Sequence, residues 1–108
     1  MDVGTLRHRV RIYDKGTTTR NATGEEIPAY DKLVAEVWAA KEPLSGREFL
    51  EAQQAQADLT VRFRIRYRED VQPDMRCVED GHIYHITAVL DQLGERREMH
   101  LMCFEVIA

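Results

Sequence analysis

Leu59-Thr60-Val61-Arg62-Phe63-Arg64-Ile65-Arg66-Tyr67-Arg68 alternates between apolar and polar residues at almost every step. Leu59, Val61, Phe63, Ile65 and Tyr67 fall on one side, and Thr60, Arg62, Arg64, Arg66 and Arg68 on the other. A period of two is that of a β-strand with one dry and one wet face. The same pattern opens the chain. Leu6, His8, Val10 and Ile12 share one face, and Arg7, Arg9 and Arg11 share the other.

Downstream of this strand the chain reads as tight strand pairing. Residues 69–74 form a turn, and Met75 to Val78 a short strand. Asp80-Gly81 suits the two left-handed positions of a type I′ hairpin turn. His82 to Leu90 is the return strand, residues 91–95 turn again, and Arg97 to Val106 is the last strand. Upstream, Leu33 to Lys41 is apolar at nearly every position, with β-favouring Val34, Val37 and Trp38, and reads as a buried strand with Trp38 in the core. Residues 14–31 are polar and punctuated by Gly, and read as a long exposed loop or a loose hairpin. One helix is expected over residues 45–57. Ser45 and Glu48 have capping-box spacing, and the body is rich in Ala, Glu and Gln. Its apolar anchors are thin, so it needs a partner surface or is free to move. The expectation is a mainly β fold: a small antiparallel β-barrel of five or six strands, with one short helix inserted between the second and third strands.

At 108 residues the chain is one domain, 1–108. Lys plus Arg is 15 against Asp plus Glu 19, a formal charge of −4, which argues against a general nucleic-acid binder. An apolar fraction of 44% beside 31% charged residues is that of a globular chain. No apolar run is long enough to cross a membrane, and the opening residues carry no signal core, which points away from secretion. Cys77 and Cys103 read as buried small hydrophobes rather than a disulfide.

No constellation in the sequence points to catalysis, a cofactor or a metal. There is no Gly-rich phosphate loop and no nucleophile motif, and the single Ser is placed to cap a helix. His82 and His85, three apart on a strand, point to opposite faces and do not share a metal easily. His8 is in phase with Leu6 and Val10, which suits a core-edge histidine. The arginine rows stand out. Residues two apart on a strand are about 6–7 Å apart on one face, and such a row repels itself unless acids or an anionic partner lie near. Three arrangements satisfy it: a solvated face balanced by Glu36, Glu42, Glu79, Glu98 or Glu105; a subunit interface; or contact with a phosphate backbone. An OB-type nucleic-acid-binding barrel is therefore the alternative class, although Phe63, Tyr67 and Tyr84 are in phase with core residues rather than free for base stacking.

Gly4-Thr5-Leu6-Arg7-His8-Arg9-Val10 resembles the opening of tailed-phage head–tail joining proteins, also called head closure, stopper or head–tail adaptor proteins. Val37-Trp38-Ala39-Ala40, Pro43-Leu44-Ser45-Gly46-Arg47-Glu48 with the Ala/Gln stretch after it, Arg66-Tyr67-Arg68, and Gly81 to Ile86 after Met75-Arg76 resemble further elements of that family, in the family's order. The resemblance implies a non-enzymatic structural virion protein. It would sit in the virion neck, made in a bacterial host's cytoplasm from a phage or prophage gene, with no cofactor. Copies of it would form a ring beneath the portal and adaptor proteins, close the channel through which packaged DNA passes, and dock tail proteins. It further implies that the insertion Leu44 to Asp58, carrying Ser45, Gly46, Arg47, Glu48, Phe49, Gln53 and Gln56, faces the channel. The rows Arg7, Arg9, Arg11 and Arg62, Arg64, Arg66, Arg68 would then face a neighbouring subunit or DNA.

Overall fold

A computed structural model describes residues 6–44, 46–54, 59–91 and 94–106, with the side chains of Glu48, Phe49 and Ala52 excepted. In chain order the elements are β1 (His8–Asp14), β2 (Thr18–Arg20), β3 (Glu26–Pro28), β4 (Lys32–Pro43), α1 (Gly46–Gln54), β5 (Val61–Arg66), β6 (Arg76–Glu79), β7 (His82–Asp91) and β8 (Glu98–Glu105). Six of the strands form a closed antiparallel barrel in the order β1-β4-β5-β8-β7-β6, sealed by β1 pairing with β6. β2 and β3 form a separate two-stranded hairpin. The connection over 14–31 is thus a hairpin arm, the second of the two forms expected for it.

Alternation explains why these strands close. In β5, Val61, Phe63 and Ile65 are buried while Arg62, Arg64 and Arg66 face out. In β1, Val10 and Ile12 are fully buried between outward Arg9 and Arg11. β8 supplies Met99, Leu101 and Cys103, and β7 supplies Tyr84 and Ile86. At the centre the Phe63 and Tyr84 rings meet edge to face, centroids 5.1 Å apart, a geometry aromatic quadrupoles favour. Cys77 and Cys103 are free and buried. The hydrogen bond with the Cys77 thiol, and then burial, push the Cys103 thiol far up, so it stays protonated.

Two irregularities bend the wall. The β1–β4 register shifts between Ile12 and Tyr13, and the β7–β8 register between Ile86 and Ala88. Such bulges sharpen strand bending and help a small sheet curl on itself. The turn between β6 and β7 has Asp80 at φ 50° and Gly81 at φ 79°, both left-handed as a type I′ turn requires.

One expectation fails. Trp38 is 52% exposed rather than in the core. β4 has a dry face on one side only: Ala35 and Ala39 point inward and Glu36 and Trp38 outward. A barrel has a single interior, so even an apolar strand buries alternate residues. The helix begins at Gly46; its expected cap, Ser45, and residues 55–58 lie outside the described residues.

Candidate functional site

Each arginine row meets carboxylates from adjacent strands. On the face of β4, β5 and β8, Arg62 Nε donates to Glu42 Oε1 at 3.3 Å, and Arg64 Nη1 to Glu98 Oε2 at 3.2 Å. Arg64 Nε also lies 3.5 Å from Glu42 Oε1. The register accounts for this, since Glu42 stands opposite Arg62 and His100 opposite Arg64. The two guanidinium groups are 21% and 19% exposed, so they belong to a part-buried network rather than a loose fringe. Burial first and the Arg62 charge second hold His100, inside it, below its ordinary range, against the pull of Glu42 and Glu98.

The second row lies on β1 and β4. Arg9 Nε donates to Glu36 Oε1 at 2.7 Å, and Arg11 Nε lies 3.6 Å from Glu36 Oε2. The hydrogen bond from Arg9 and then its charge hold the Glu36 carboxyl below its ordinary range. The Arg9 guanidinium also stands 4.9 Å from the Trp38 ring centroid, a cation–π contact at the surface. Arg7 is exposed. Arg68 grips Asp70 with two donors at 2.9 and 3.0 Å. Arg66 is exposed and makes no ion pair among the described residues.

Beside these rows the barrel wall has a split. The β4–β5 ladder runs only from Ala40↔Arg64 to Pro43↔Val61. Upstream of Ala40, β4 pairs with β1 alone, and the chain after Arg64 diverges from it. The gap is a groove of about 500 Å³ lined by Leu6, Val37, Trp38 and Tyr67, with Arg66 and Arg68 on its margin.

At one end of the barrel Glu79 is 7% exposed. His8 Nδ1 donates to its Oε1 at 2.7 Å, and Lys41 Nζ lies 3.4 Å from its Oε2. Burial pushes this carboxyl up, but the hydrogen bond from His8 and the charge and hydrogen bond of Lys41 outweigh it, leaving it below the ordinary 4.5. Lys41 is raised, chiefly by its hydrogen bond with Tyr84 and against its own desolvation. The cluster is fully partnered and ties β1, β4 and β6 together.

Two appendages leave the barrel. Every residue of β2 and β3 is exposed, and neither strand packs on any other element. The arm is fixed at its base, where Arg76 stacks over Tyr30 at 4.3 Å and His85 meets the Tyr30 ring edge-on. Among the described residues α1 likewise has no barrel strand packed extensively along it. Gly46, Arg47 and Gln53 are exposed on it, and Arg47 pairs with Glu51 at 3.2 Å. Ser45 and Gln56, with the side chains of Glu48 and Phe49, lie outside the described residues. Among the described residues no group of three or more His, Cys, Asp or Glu is placed to hold a metal ion. The surface Trp38 was legible in its phase with Glu36. The Glu79 cluster joins residues 71 apart and has no local signal.

The family model for phage head completion proteins matches residues 1–106. The chain belongs to that family. A head completion protein has a structural, head–tail role in the phage, and the family carries no known enzymatic activity. The solution structure of protein SF1141 from Shigella flexneri 2a is similar to this head completion protein over 97% of this chain and 96% of that one, with 28% identity and a TM-score of 0.66. A chain from the virion of a native gene transfer agent particle shares the fold at 19% identity and a TM-score of 0.53, over 94% of this chain and 98% of that one. No curated protein matches the chain.

Proposed function

We propose that this head completion protein works at the virion neck as a ring of identical copies beneath the portal and adaptor proteins, closing the DNA channel and presenting a docking face to the tail. Residues 1–108 act as one joining domain, made in the cytoplasm of a bacterial host. The family match over residues 1–106 carries the reading. The architecture suits it: a closed barrel leaves few free strand edges and serves as a rigid block, while α1 and the hairpin arm supply contacts beyond it. The insertion from Leu44 to Asp58, with Ser45, Gly46, Arg47, Glu48, Phe49, Gln53 and Gln56, is the channel-facing element. Among the described residues no barrel strand packs extensively along α1, which suits an element that rearranges on assembly. Of the arginines, Arg62 and Arg64 are part-buried and engaged by their own barrel's carboxylates, so contact with a neighbour or with DNA falls first to the exposed Arg66.

The test is complementation. Phage lacking the gene should yield DNA-filled heads that leak and carry no tails, and added protein should restore tailed, infectious particles. Normal tailed particles from the deletion would refute the reading. One observation favours an OB-type nucleic-acid-binding barrel instead, namely the surface Trp38 between Arg9 and Arg66, where a base could stack. That reading requires binding to single-stranded DNA with a steep salt dependence. Absence of binding at moderate salt disposes of it.

A further inference from the structure

Among the described residues no element covers the groove or the hairpin arm, and the two lie on opposite sides of the barrel. In the order β1-β4-β5-β8-β7-β6 the groove sits at the β4–β5 seam, whereas the base of the arm rests against β6 and β7. We propose that the groove of one copy receives the tip of the β2–β3 hairpin of the next copy. The proposal rests on the ring reading above and names the contact that would build the ring.

Apolar cover and charge favour this pairing. The arm carries an exposed Ile27 beside Glu25, which accepts from Asn21 Nδ2 at 3.4 Å, and Glu26, which pairs with Arg20 at 3.5 Å, all of them exposed. The groove is lined mostly by apolar residues together with Arg66 and Arg68, and Arg66 makes no ion pair among the described residues. Ile27 can cover Trp38 while Glu25 and Glu26 exchange their exposed partners in the arm for Arg66. Reach is sufficient: about six residues per strand extend the hairpin about 20 Å from its base at Gly16 and Ala29. Backbone chemistry adds direction. Pro28 has no N–H and blunts the outer edge of β3, which leaves β2 as the edge able to pair with β4 upstream of Ala40. Because donor and acceptor surfaces differ, the contact is head-to-tail and generates a ring when the rotation closes. Their placement on opposite sides of the barrel is the arrangement a ring requires.

The experiment is cysteine cross-linking in assembled particles, where native Cys77 and Cys103 stay buried. Ile27→Cys with Trp38→Cys in one chain should give a ladder of covalent multimers on a non-reducing gel. Ile27→Cys with Leu90→Cys, equally exposed but outside the groove, should not. Arg66→Glu should lower incorporation about tenfold, equivalent to about 1.4 kcal/mol, and Glu25→Lys with Glu26→Lys in the same chain should restore it. All of these residues are exposed, and circular dichroism verifies that each variant folds. Several copies per neck with no ladder, or full incorporation of Arg66→Glu, overturns the groove contact and leaves the ring standing. One copy per neck overturns both.

Discussion

Replacing Glu79 asks whether charge holds the end of the barrel. The carboxylate takes His8 at 2.7 Å and Lys41 at 3.4 Å while itself nearly buried. Hydrogen bonds to a charged group contribute about 1.5–3 kcal/mol each, and removing one partner of a fully buried ion pair costs about 3–5 kcal/mol. His8 and Lys41 are 40% and 31% exposed, so water takes over part of the role and the lower end applies. Glu79→Ala should therefore cost about 3 kcal/mol. For a domain of this size that lowers Tm by about 12–20 °C. Glu79→Gln keeps the shape and one acceptor and should cost about half as much. The pH dependence has a definite sign. A carboxyl held below 4.5 in the folded state contributes stability above that pH and loses it as pH falls through the folded value. The gap between wild type and Glu79→Gln should thus be full at pH 7 and narrower at pH 3. Thermal unfolding followed by circular dichroism at both pH values measures it. A loss below about 4 °C at pH 7, or a gap unchanged at pH 3, refutes the reasoning.

Phe63→Ala should cost about 3–5 kcal/mol, because a fully buried ring against Tyr84 leaves a cavity; urea titration should show a lower midpoint with an unchanged slope. Gly81→Ala places a Cβ at φ 79° and should cost about 1–2 kcal/mol, read from the thermal midpoint. Arg64→Glu sets a carboxylate against Glu42 and Glu98 and should lower stability by about 1–3 kcal/mol, whereas Arg66→Glu, exposed but opposite Glu98 in the register, should cost no more than about 1 kcal/mol. Ellman's reagent should label Cys77 and Cys103 only as fast as the barrel unfolds, since both thiols are fully buried; rapid labelling of the native protein would contradict the closed core.

Much of the barrel is visible in local pattern. The alternation through Val61–Arg66 set both the strand and its dry face, and Asp80-Gly81 set the tightest turn, because each depends on neighbouring residues only. Trp38 was misplaced because hydrophobic content outweighed phase. The Ala35, Glu36, Val37, Trp38 sequence alternates once Glu36 is taken as the outward marker. The balancing acids for the arginine rows were foreseeable as residue types. Which carboxylate meets which guanidinium depends on register, and register across Ala40–Pro43 and Val61–Arg64 has no local signature. The groove is harder still, since it exists where a ladder stops.

The seal between β1 and β6 has a kinetic consequence. His8 and Glu79 are 71 residues apart, and β1 has no second barrel neighbour until β6 exists. Closing a loop of that length costs about 4 kcal/mol of chain entropy before any contact repays it. During synthesis the N-terminal strand can do no more than zip with β4. β5 must wait for β8, the last of the barrel strands to be made. The barrel therefore matures only once β8 has emerged, and rapid folding is not to be expected of so non-local a topology. Through that interval its half-made strands present unpaired edges, and the charged residues on their outer faces oppose association between copies until the last strand arrives.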